Sequence, residues 1–390
     1  MTGRERLMAT LRGEAVDRPA VNFYEIGGFR VDPSDPDEFN VYNDPSWRPL
    51  LKLAEEKTDL IRMRSPVSPR SHEVDSSGAG SSAPGPWSEF FTTETYTQGR
   101  SRLRSTTLKI GGRTMRSLTR RDPDIDTVWT LEHLLKGTED LKAYLELPDE
   151  VFAERVDTGP LLEEEQRLGD SGIVMVDTED PVCRAASLFS MEDFTVIALQ
   201  EQRLFHRLLE KVSRHLYHRT EETAKAFRGR LWRIYGPEYV TEPYLPPRLF
   251  KEYVVRYTGP MVRTIHEHGG FARIHCHGRL GAVLEHIVEM GADAIDPIEP
   301  PPYGDVELAR VRREYGRQLV LFGNIEVNDV ENMELPEFEK VVRKALEDGT
   351  WGEGRGFVLM PSSAPNGRKI TSRMMANYET MVRLAGQFGP

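Results

Sequence analysis

The sequence predicts a single (β/α)8 barrel over residues 1–390, an α/β fold in which eight parallel strands alternate with helices. Two observations predict it. Short apolar segments recur along the chain, and amphipathic stretches of helical period follow the later ones. The length of 390 residues suits one barrel with an insertion better than two or three domains, once the eight segments are taken together. A doubly wound open sheet is the alternative architecture.

Eight short apolar segments have the length and composition of buried strands. In chain order they are Ala20–Glu25, Asp59–Met63, Gly172–Val176, Leu231–Tyr235, Phe271–Cys276, Asp293–Asp296, Gln318–Phe322 and Phe357–Met360. Helical periodicity is clearest over Pro247–His268, Leu280–Met290, Val306–Tyr315, Glu337–Leu346 and Arg373–Gly386, and it also covers Ala186–Phe227. Strands that alternate with helices form parallel sheets, and eight such units can close a barrel.

Residues 65–121 interrupt this alternation and are predicted as an insertion in the barrel. Ser65–Pro86 is rich in Ser, Gly and Pro, which is typical of a flexible surface loop. Thr92–Arg121 alternates with period two around Gly111-Gly112, which indicates a β-hairpin. The hairpin is rich in basic residues, which either protect exposed strand edges or form a docking face for an anionic substrate or acidic partner: Arg100, Arg102, Arg104, Lys109, Arg113, Arg116, Arg120 and Arg121.

The composition argues against several classes of protein. The 51 Lys and Arg against 62 Asp and Glu give a net charge of −11, so binding to nucleic acid or anionic membranes is not expected. No apolar run approaches the roughly 18 residues of a membrane span, and the first residues lack the apolar core of a signal peptide. Two cysteines, Cys183 and Cys276, are too few for a disulfide framework or a four-cysteine zinc module. A cytoplasmic protein that acts on a small molecule is expected.

Candidate chemistry concentrates in the segment Phe271–Gly278. Its residues His275 and His277 come at the carboxyl end of a predicted strand, where barrel enzymes place their active sites. Side chains alternate faces along a strand, so both imidazoles are expected to point one way and Cys276 the other. This spacing favours a metal or catalytic site over a pair of packed core histidines.

A metal site needs a ligand from another strand. Glu299 lies just beyond the strand that ends at Asp296, in a proline-rich loop. Two imidazoles and one carboxylate suit zinc or another divalent ion and leave a coordination position open. Asp296 and Glu238 are the alternatives for this carboxylate.

Other polar side chains follow neighbouring predicted strands and are expected at the same end of the barrel. Tyr24 ends the first strand and Tyr235 the fourth, and both are predicted to contact the substrate. Glu238 is a candidate general acid, and the Asn324 amide is expected to hydrogen-bond the substrate or orient a ligand. Arg62 is predicted to pair with a substrate carboxylate, with an ion pair to a neighbouring glutamate as the alternative.

Several segments together resemble the uroporphyrinogen decarboxylase-like superfamily, over nearly the whole chain outside the insertion. They are Arg4–Gly13, Asp17–Val21, Ile274–Gly278, Gly291–Pro300, Leu321–Ile325 and Phe357–Val382. The fold of this superfamily is a (β/α)8 barrel. It also contains corrinoid-dependent methyltransferases, the branch that this chain resembles most in type, and cobalamin-independent methionine synthase.

Two departures from the decarboxylase itself argue against its reaction. The decarboxylase carries a pair of arginines after the first strand, where Phe23–Arg30 of this chain offers only Arg30. Its catalytic aspartate motif after the second strand is replaced by Asp59–Ser65. Decarboxylation of a porphyrinogen is therefore not expected.

The methyltransferase branch implies a zinc site of the form His-x-Cys with a late cysteine, and a glutamate ligand in the methionine synthase relatives. His275 matches the first ligand, His277 replaces the cysteine, and Glu299 lies at about the position of the glutamate. Ser362 or Ser363 stands in place of the late cysteine. Imidazole and carboxylate ligands make a harder Lewis acid than thiolates, which suits a methoxy oxygen better than a substrate thiol.

The sequence therefore predicts a metal-dependent methyltransferase that demethylates a small methylated compound, such as a methoxylated aromatic. The resemblance implies a corrinoid as methyl acceptor, carried by a partner protein because the 390 residues leave no room for a corrinoid domain, and it implies a homodimer. A metal-assisted decarboxylase or lyase of a small carboxylic acid, without corrinoid, is the first alternative. A non-catalytic ligand-binding barrel is the second.

Overall fold

The structure, a computed structural model, describes residues 1–66 and 86–389, so most of the predicted loop Ser65–Pro86 lies outside the described residues. Eight parallel strands form one sheet, and each matches one of the eight predicted strands. With strands numbered along the chain, they are β1 (Ala20–Val21), β2 (Leu60–Arg64), β7 (Gly172–Glu179), β8 (Leu231–Tyr235), β9 (Phe271–His275), β10 (Ala294–Asp296), β11 (Val320–Ile325) and β12 (Phe357–Pro361). The predicted (β/α)8 fold is confirmed.

The two end strands of this sheet, β1 and β2, are joined around Asp59. The Asp59 amide donates a hydrogen bond to the Val21 carbonyl (2.7 Å), and the Asn22 side chain donates one to the Asp59 carbonyl (2.9 Å). The Asp59 carboxylate accepts from the Val21 amide and pairs with Arg6 and Arg18. An open doubly wound sheet, whose end strands lie far apart, is therefore not the architecture.

Helices surround the sheet and agree with the predicted helical segments, apart from their ends. They are α1 (Gly3–Arg12), α2 (Trp47–Lys57), α3 (Thr138–Leu145), α4 (Gly159–Leu168), α5 (Pro181–Ala186), α6 (Met191–Gln200), α7 (Gln202–Ala226), α8 (Arg248–Phe250), α9 (Arg256–Glu267), α10 (Leu284–Glu289), α11 (Leu308–Tyr315), α12 (Val327–Asn332), α13 (Leu335–Thr350) and α14 (Ser372–Gln387). A π-helical segment, Lys251–Val255, joins α8 to α9. None of the helices in the described ranges is long and apolar enough to cross a membrane.

The apolar residues form two layers, which separates the inside of the barrel from the helix layer. The inside layer contains alternate strand residues: Ile61, Met63, Ile173, Met175, Leu231, Ala294, Val320, Phe322, Val358 and Met360. The residues between them, such as Val174, Trp232 and Ile274, pack outward against helices. Leu7 and Leu11 of α1 belong to the inside layer, so α1 covers the amino-terminal end of the barrel. Chemistry is left to the carboxyl ends of the strands.

The predicted hairpin is the centre of a four-stranded antiparallel sheet, β3 (Phe91–Gln98), β4 (Ser101–Ile110), β5 (Arg113–Arg121) and β6 (Val128–Glu132). Gly111 and Gly112 form the turn between β4 and β5 with φ of 55° and 74°, as the sequence predicts. The sheet continues beyond the predicted boundary at residue 121 with a fourth strand, β6. The sequence does not indicate β6, because it is an exposed edge strand and no glycine turn precedes it.

Most of the basic side chains on this sheet pair with carboxylates of the same chain. The pairs are Arg100–Asp124, Arg102–Asp37, Arg113–Asp140, Arg116–Glu132, Arg120–Asp122 and Arg121–Asp126. These pairs reduce the positive charge that the sheet can offer to an anionic partner. They favour the interpretation in which the charges prevent the exposed strand edges from pairing with other chains.

Candidate active site

Charged side chains fill the barrel at the carboxyl ends of β7 to β10, next to the apolar inside layer. The strand register pairs Asp177 with Arg233, Arg233 with Arg273, and His275 with Asp296. Arg233 Nη1 donates a hydrogen bond to Asp177 Oδ1 (2.8 Å), and Arg273 Nε lies 2.7 Å from Asp296 Oδ1. Buried charges require such partners, and this charged belt, in which two arginines lie between two aspartates, supplies them.

His275 is held by a buried carboxylate. Its Nδ1 lies 2.7 Å from Oδ2 of Asp296, which is fully buried and paired with Arg273. Burial and the charge of Arg233 hold the pKa of His275 well below its usual value, so the ring is neutral near pH 7. Because Nδ1 is engaged, Nε2 is the ring nitrogen that remains for a ligand.

His277 is held in the same way, closer to solvent. Its Nδ1 lies 2.8 Å from Oε1 of Glu299, and the Gly278 amide donates to Glu299 Oε2 (2.6 Å). Burial lowers the pKa of His277, but the hydrogen bond to Glu299 and the charges of Glu299 and Glu238 outweigh it and raise the pKa above its usual value. The His275 and His277 ring centroids are 4.6 Å apart, so the structure brings the two predicted ligands together.

The two imidazoles supply two nitrogen donors of the kind that divalent ions accept. In the described residues, no three side chains among His, Cys, Asp and Glu are arranged to hold an ion. Both oxygens of Glu299 are engaged, by the His277 ring and the Gly278 amide. Glu299 is therefore the partner that orients His277, an arrangement that is usual behind metal-binding histidines.

Cys276 lies on the other face of this segment, as strand alternation predicts. Its side chain is fully buried among the residues that pack between the sheet and the helices. Burial raises the pKa of its thiol, which disfavours the thiolate that a metal would need.

Tyr24 and Tyr235 lie at the same end of the barrel. The Tyr24 ring stacks on His275 with a centroid distance of 5.9 Å, and its hydroxyl is 3.5 Å from His275 Nδ1. The guanidinium of Arg233 lies 5.4 Å from the Tyr24 ring centre and 4.9 Å from that of Tyr235. The Tyr235 hydroxyl donates to Glu179 Oε2 (3.4 Å). Tyr24 thus contacts the histidine directly, and Tyr235 is connected to it through Arg233.

Glu238 occupies the turn after β8. Its Oε2 accepts a hydrogen bond from the Gly236 amide (3.1 Å), and burial raises its pKa although the charges of His277 and Arg233 oppose the rise. Gly236 has φ of 114°, and an added Cβ would lie 2.1 Å from Cβ of Cys183, so only glycine lets this turn pack against α5. A raised pKa favours the protonated carboxyl that a general acid requires.

Asn324 lies near the carboxyl end of β11, and its side chain is half-buried. Within residues 1–66 and 86–389 its amide makes no side-chain hydrogen bond, so it is free to bond a substrate. No contact of Asn324 tests its predicted catalytic role, which stays a prediction.

Arg62 does not join this group. Ile61 and Met63 face the inside of the barrel, so Arg62, between them, faces outward. Its guanidinium pairs with Glu55 of α2 and Glu164 of α4. The ion pairing that the sequence left as an alternative is the arrangement observed, and strand alternation is its physical reason.

Ser362 and Ser363, which replace the late cysteine of the methyltransferase branch, are both hydrogen-bonded, Ser362 to the start of α12 and Ser363 to its own loop. The Ser362 hydroxyl donates to Glu326 Oε2 (3.2 Å) and accepts from the Val327 amide (3.1 Å). The Ser363 hydroxyl donates to the Ala364 carbonyl (3.1 Å). Burial, followed by the charge of Glu299, raises the pKa of Glu326 to about 7, which adds another titratable group to the site.

The charged belt was not predicted from the sequence. The prediction ended the third strand at Val176, whereas β7 continues to Glu179 and so carries Asp177 to the site. Arg233 and Arg273 lie within predicted strands but received no role. A charged residue inside an otherwise apolar strand was the available signal, because such a charge needs a buried partner.

Comparison with known protein families gives one match. The family described as uroporphyrinogen decarboxylase (URO-D) matches residues 160–364, more than half of the 390-residue chain. The matched range contains β7 to β12, and with them the two histidines and the charged belt. No curated protein matches the chain significantly.

Solved structures resemble the chain in fold. A methyltransferase from Methanosarcina mazei aligns over 100% of this chain and 99% of its own, with a TM-score of 0.61 and 15% identity. At this identity the likeness shows the fold alone. A sugar phosphate isomerase/epimerase from Parabacteroides distasonis covers 58% of this chain and 91% of its own, with a TM-score of 0.31 and 11% identity. A D-psicose 3-epimerase covers 60% and 92%, with a TM-score of 0.31 and 10% identity. Neither epimerase carries an argument.

Proposed function

The chain belongs to the uroporphyrinogen decarboxylase family. We propose that within this family it is a metal-dependent methyltransferase. It takes a methyl group from a small methylated compound, such as a methoxylated aromatic, and passes it to a corrinoid carried by a partner protein. The observation that carries the proposal is the adjacent pair His275 and His277, each bound through Nδ1 to its own carboxylate. The whole-length likeness to a methyltransferase supports the reaction class.

Porphyrinogen decarboxylation is not the activity that we propose. Arg30, the one arginine that follows the first strand, lines a cavity outside the barrel together with Arg62 and Glu164. Asp59 is engaged in joining β1 to β2 and pairs with two arginines. Neither residue is available to bind or decarboxylate a porphyrinogen at the histidine pair.

The ion would be held by His275 and His277 through Nε2, and Glu299 would act through its hydrogen bond to His277. Zinc is the preferred ion because it accepts nitrogen and oxygen ligands and keeps a position open for substrate in catalytic sites. A divalent ion in this place supplies a Lewis acid that polarises the heteroatom bearing the methyl group.

The residues of the chain bind the substrate and deliver a proton. Asp296 keeps neutral His275 in one orientation, and Tyr24 and Tyr235 offer flat apolar faces to an aromatic methyl ether. When the methyl group leaves, the substrate oxygen keeps the bonding electron pair. Glu238, with its raised pKa, donates a proton to this oxygen, and the Asn324 amide hydrogen-bonds the substrate.

Replacing Glu238 by glutamine is expected to reduce kcat/KM about 10²- to 10⁴-fold, because an amide cannot donate the proton. In the wild type, kcat/KM is expected to fall as the pH rises through the raised pKa of Glu238, since only the protonated carboxyl is active. A pH–rate profile measures both effects. Glu242→Gln, at an exposed glutamate paired with Arg279, is the control and should keep the wild-type profile. An unchanged profile in Glu238→Gln would remove Glu238 from the mechanism.

Dependence on a corrinoid protein tests the reaction class. The zinc-loaded protein is incubated with a panel of methoxylated aromatics, with and without a reduced corrinoid protein. We expect methyl-corrinoid absorbance and an equal amount of demethylated product only when the corrinoid protein is present. Product in its absence would contradict the methyltransferase, and silence of the whole panel would favour the non-catalytic barrel.

One observation favours a metal-assisted lyase or decarboxylase with the same ion ligands as the second candidate. The buried Arg233 packs on Tyr24, which contacts His275, so a substrate carboxylate beside the histidine pair would have a positive partner. Such a reaction needs no methyl acceptor. Release of carbon dioxide from a small carboxylic acid, without corrinoid, would establish it.

A further inference from the structure

Arg233 has more hydrogen-bond donors than its protein partners use. The residue is only 9% exposed, and its Nη1 donates to Asp177 Oδ1 at 2.8 Å. Its Nε is buried without a hydrogen-bond partner, and Nη2 makes no hydrogen bond to the described residues. A buried donor without a partner destabilises the site, more so when it is charged, so a ligand that fills this position gains binding energy.

The neighbouring arginine already has a carboxylate beside the same two nitrogens. Nη2 of Arg273 donates a hydrogen bond to Asp296 Oδ2 (3.2 Å), and its Nε lies 2.7 Å from Asp296 Oδ1 in an ion pair without hydrogen-bond geometry. In Arg233 the corresponding pair of nitrogens has no carboxylate opposite it, because Asp177 occupies Nη1 instead. Two parallel N–H groups of one guanidinium match the two oxygens of a carboxylate.

The guanidinium of Arg233 is held in place beside the proposed reaction centre. It lies 5.4 and 4.9 Å from the centres of the Tyr24 and Tyr235 rings, and these two cation–π contacts restrain its position. Its charge also lowers the pKa of His275 and of Glu238, so both groups lie within its electrostatic reach. An anion bound by Arg233 is therefore close to the histidine pair.

We propose that the Nε and Nη2 groups of Arg233 bind a carboxylate of the substrate. The substrate class is then a small carboxylic acid that also carries the methyl group to be removed. This inference rests on the proposed function of the site. It transfers to Arg233 the anion-binding role that the sequence suggested for Arg62. A carboxylate held at Arg233 orients the rest of the molecule toward Tyr24 and His275.

A matched pair of probes tests the inference in the whole protein, without corrinoid. Isothermal titration calorimetry compares 3-methoxybenzoate with 3-methoxybenzamide, which has nearly the same shape and no charge. We expect the wild type to bind the carboxylate about 10- to 100-fold more tightly than the amide, as two charge-assisted hydrogen bonds allow. Arg233→Gln and Arg233→Lys are expected to lose this preference, since neither presents two parallel N–H groups.

Arg279→Gln is the control variant. Arg279 is exposed and pairs with Glu242, so its loss makes the same change in net charge without touching the proposed contact. We expect it to shift the carboxylate affinity by less than about twofold. Arg233→Lys also keeps a positive charge opposite Asp177, which protects the fold, and thermal unfolding with circular dichroism verifies that each variant is folded.

Three results would overturn the inference. They are equal affinities of the wild type for the two probes, no binding of 3-methoxybenzoate by the wild type, and an undiminished preference in folded Arg233→Lys. Binding is measured separately from methyl transfer. A preference that depends on Arg233 in a protein without corrinoid-dependent activity would support the carboxylate site while removing the proposed reaction.

Discussion

Replacing Asp296 by alanine is expected to lower the free energy of unfolding by about 3–5 kcal/mol. Asp296 is 0% exposed, pairs with the buried guanidinium of Arg273 and accepts a hydrogen bond from His275. Its removal leaves a buried positive charge without a partner, which is the costly way to break a buried ion pair. Urea unfolding followed by circular dichroism measures the change.

Glu314→Ala is the matched control for this loss of a carboxylate. Glu314 pairs with Arg310 on the surface of α11, where an ion pair contributes less than about 1 kcal/mol. Removing both buried partners, in Arg273→Met with Asp296→Ala, is expected to restore part of the lost stability, since no unpaired charge remains. A cost for Asp296→Ala no larger than that for Glu314→Ala would contradict the importance of the charged belt.

The pH dependence of stability follows from the same residue. Burial raises the pKa of Asp296, but the charge of Arg273 and the hydrogen bond from His275 outweigh this effect, so the net folded-state pKa lies below its usual value. A lowered pKa stabilises the folded state above the unfolded-state pKa, and this contribution disappears as the pH falls through the acidic range. The stability difference between the wild type and Asp296→Ala should therefore shrink in acid.

Replacing His275 by alanine is expected to weaken zinc binding by more than about 100-fold. This loss exceeds the roughly 10- to 100-fold loss in affinity that is typical when a residue hydrogen-bonded to a metal ligand is replaced. The reason is that His275 supplies one of the two imidazoles that meet at this site in the described part of the chain. Competition with a chromophoric chelator measures the affinity. Glu299→Gln is expected to cost about 10- to 100-fold, because Glu299 orients His277 from behind.

His286→Ala is the control for these metal measurements. His286 lies on α10 and pairs with Glu289 at the surface, so its loss should leave zinc affinity unchanged. Full zinc occupancy in His275→Ala would remove the proposed site. A loss in Glu299→Gln as large as that in His275→Ala would make Glu299 a direct ligand, as the sequence had suggested.

The barrel could be predicted because each strand carries its own local signal. All eight strands were recognised as short apolar segments, and their ends were less certain than their positions. The extension of β7 to Glu179 shows why, since Asp177 and Glu179 are polar and look like loop residues until partners from the next strands are known. The strand β6 was missed because an exposed edge strand lacks the apolar alternation that marks a buried one.

The histidine pair could also be predicted, because its spacing is a local property of one strand. Arg62 and Arg233 show the limit of that reasoning. Both are arginines near the ends of predicted strands, yet Arg62 pairs outward with Glu55 and Glu164, whereas Arg233 faces the inside of the barrel. A shift of one residue along a strand exchanges the two faces, so an uncertain strand end leaves the direction of a side chain open.

The sequence by itself determined the fold class, the family resemblance and the position of His275 and His277, since each depends on residues that are close together in the chain. Only the tertiary structure decided which charges meet. Asp177 with Arg233, Asp296 with Arg273, and the place of Glu299 behind His277 join residues of different strands. Their pairing depends on strand register and burial, because a charge inside the barrel is stable only where a neighbouring strand supplies its partner.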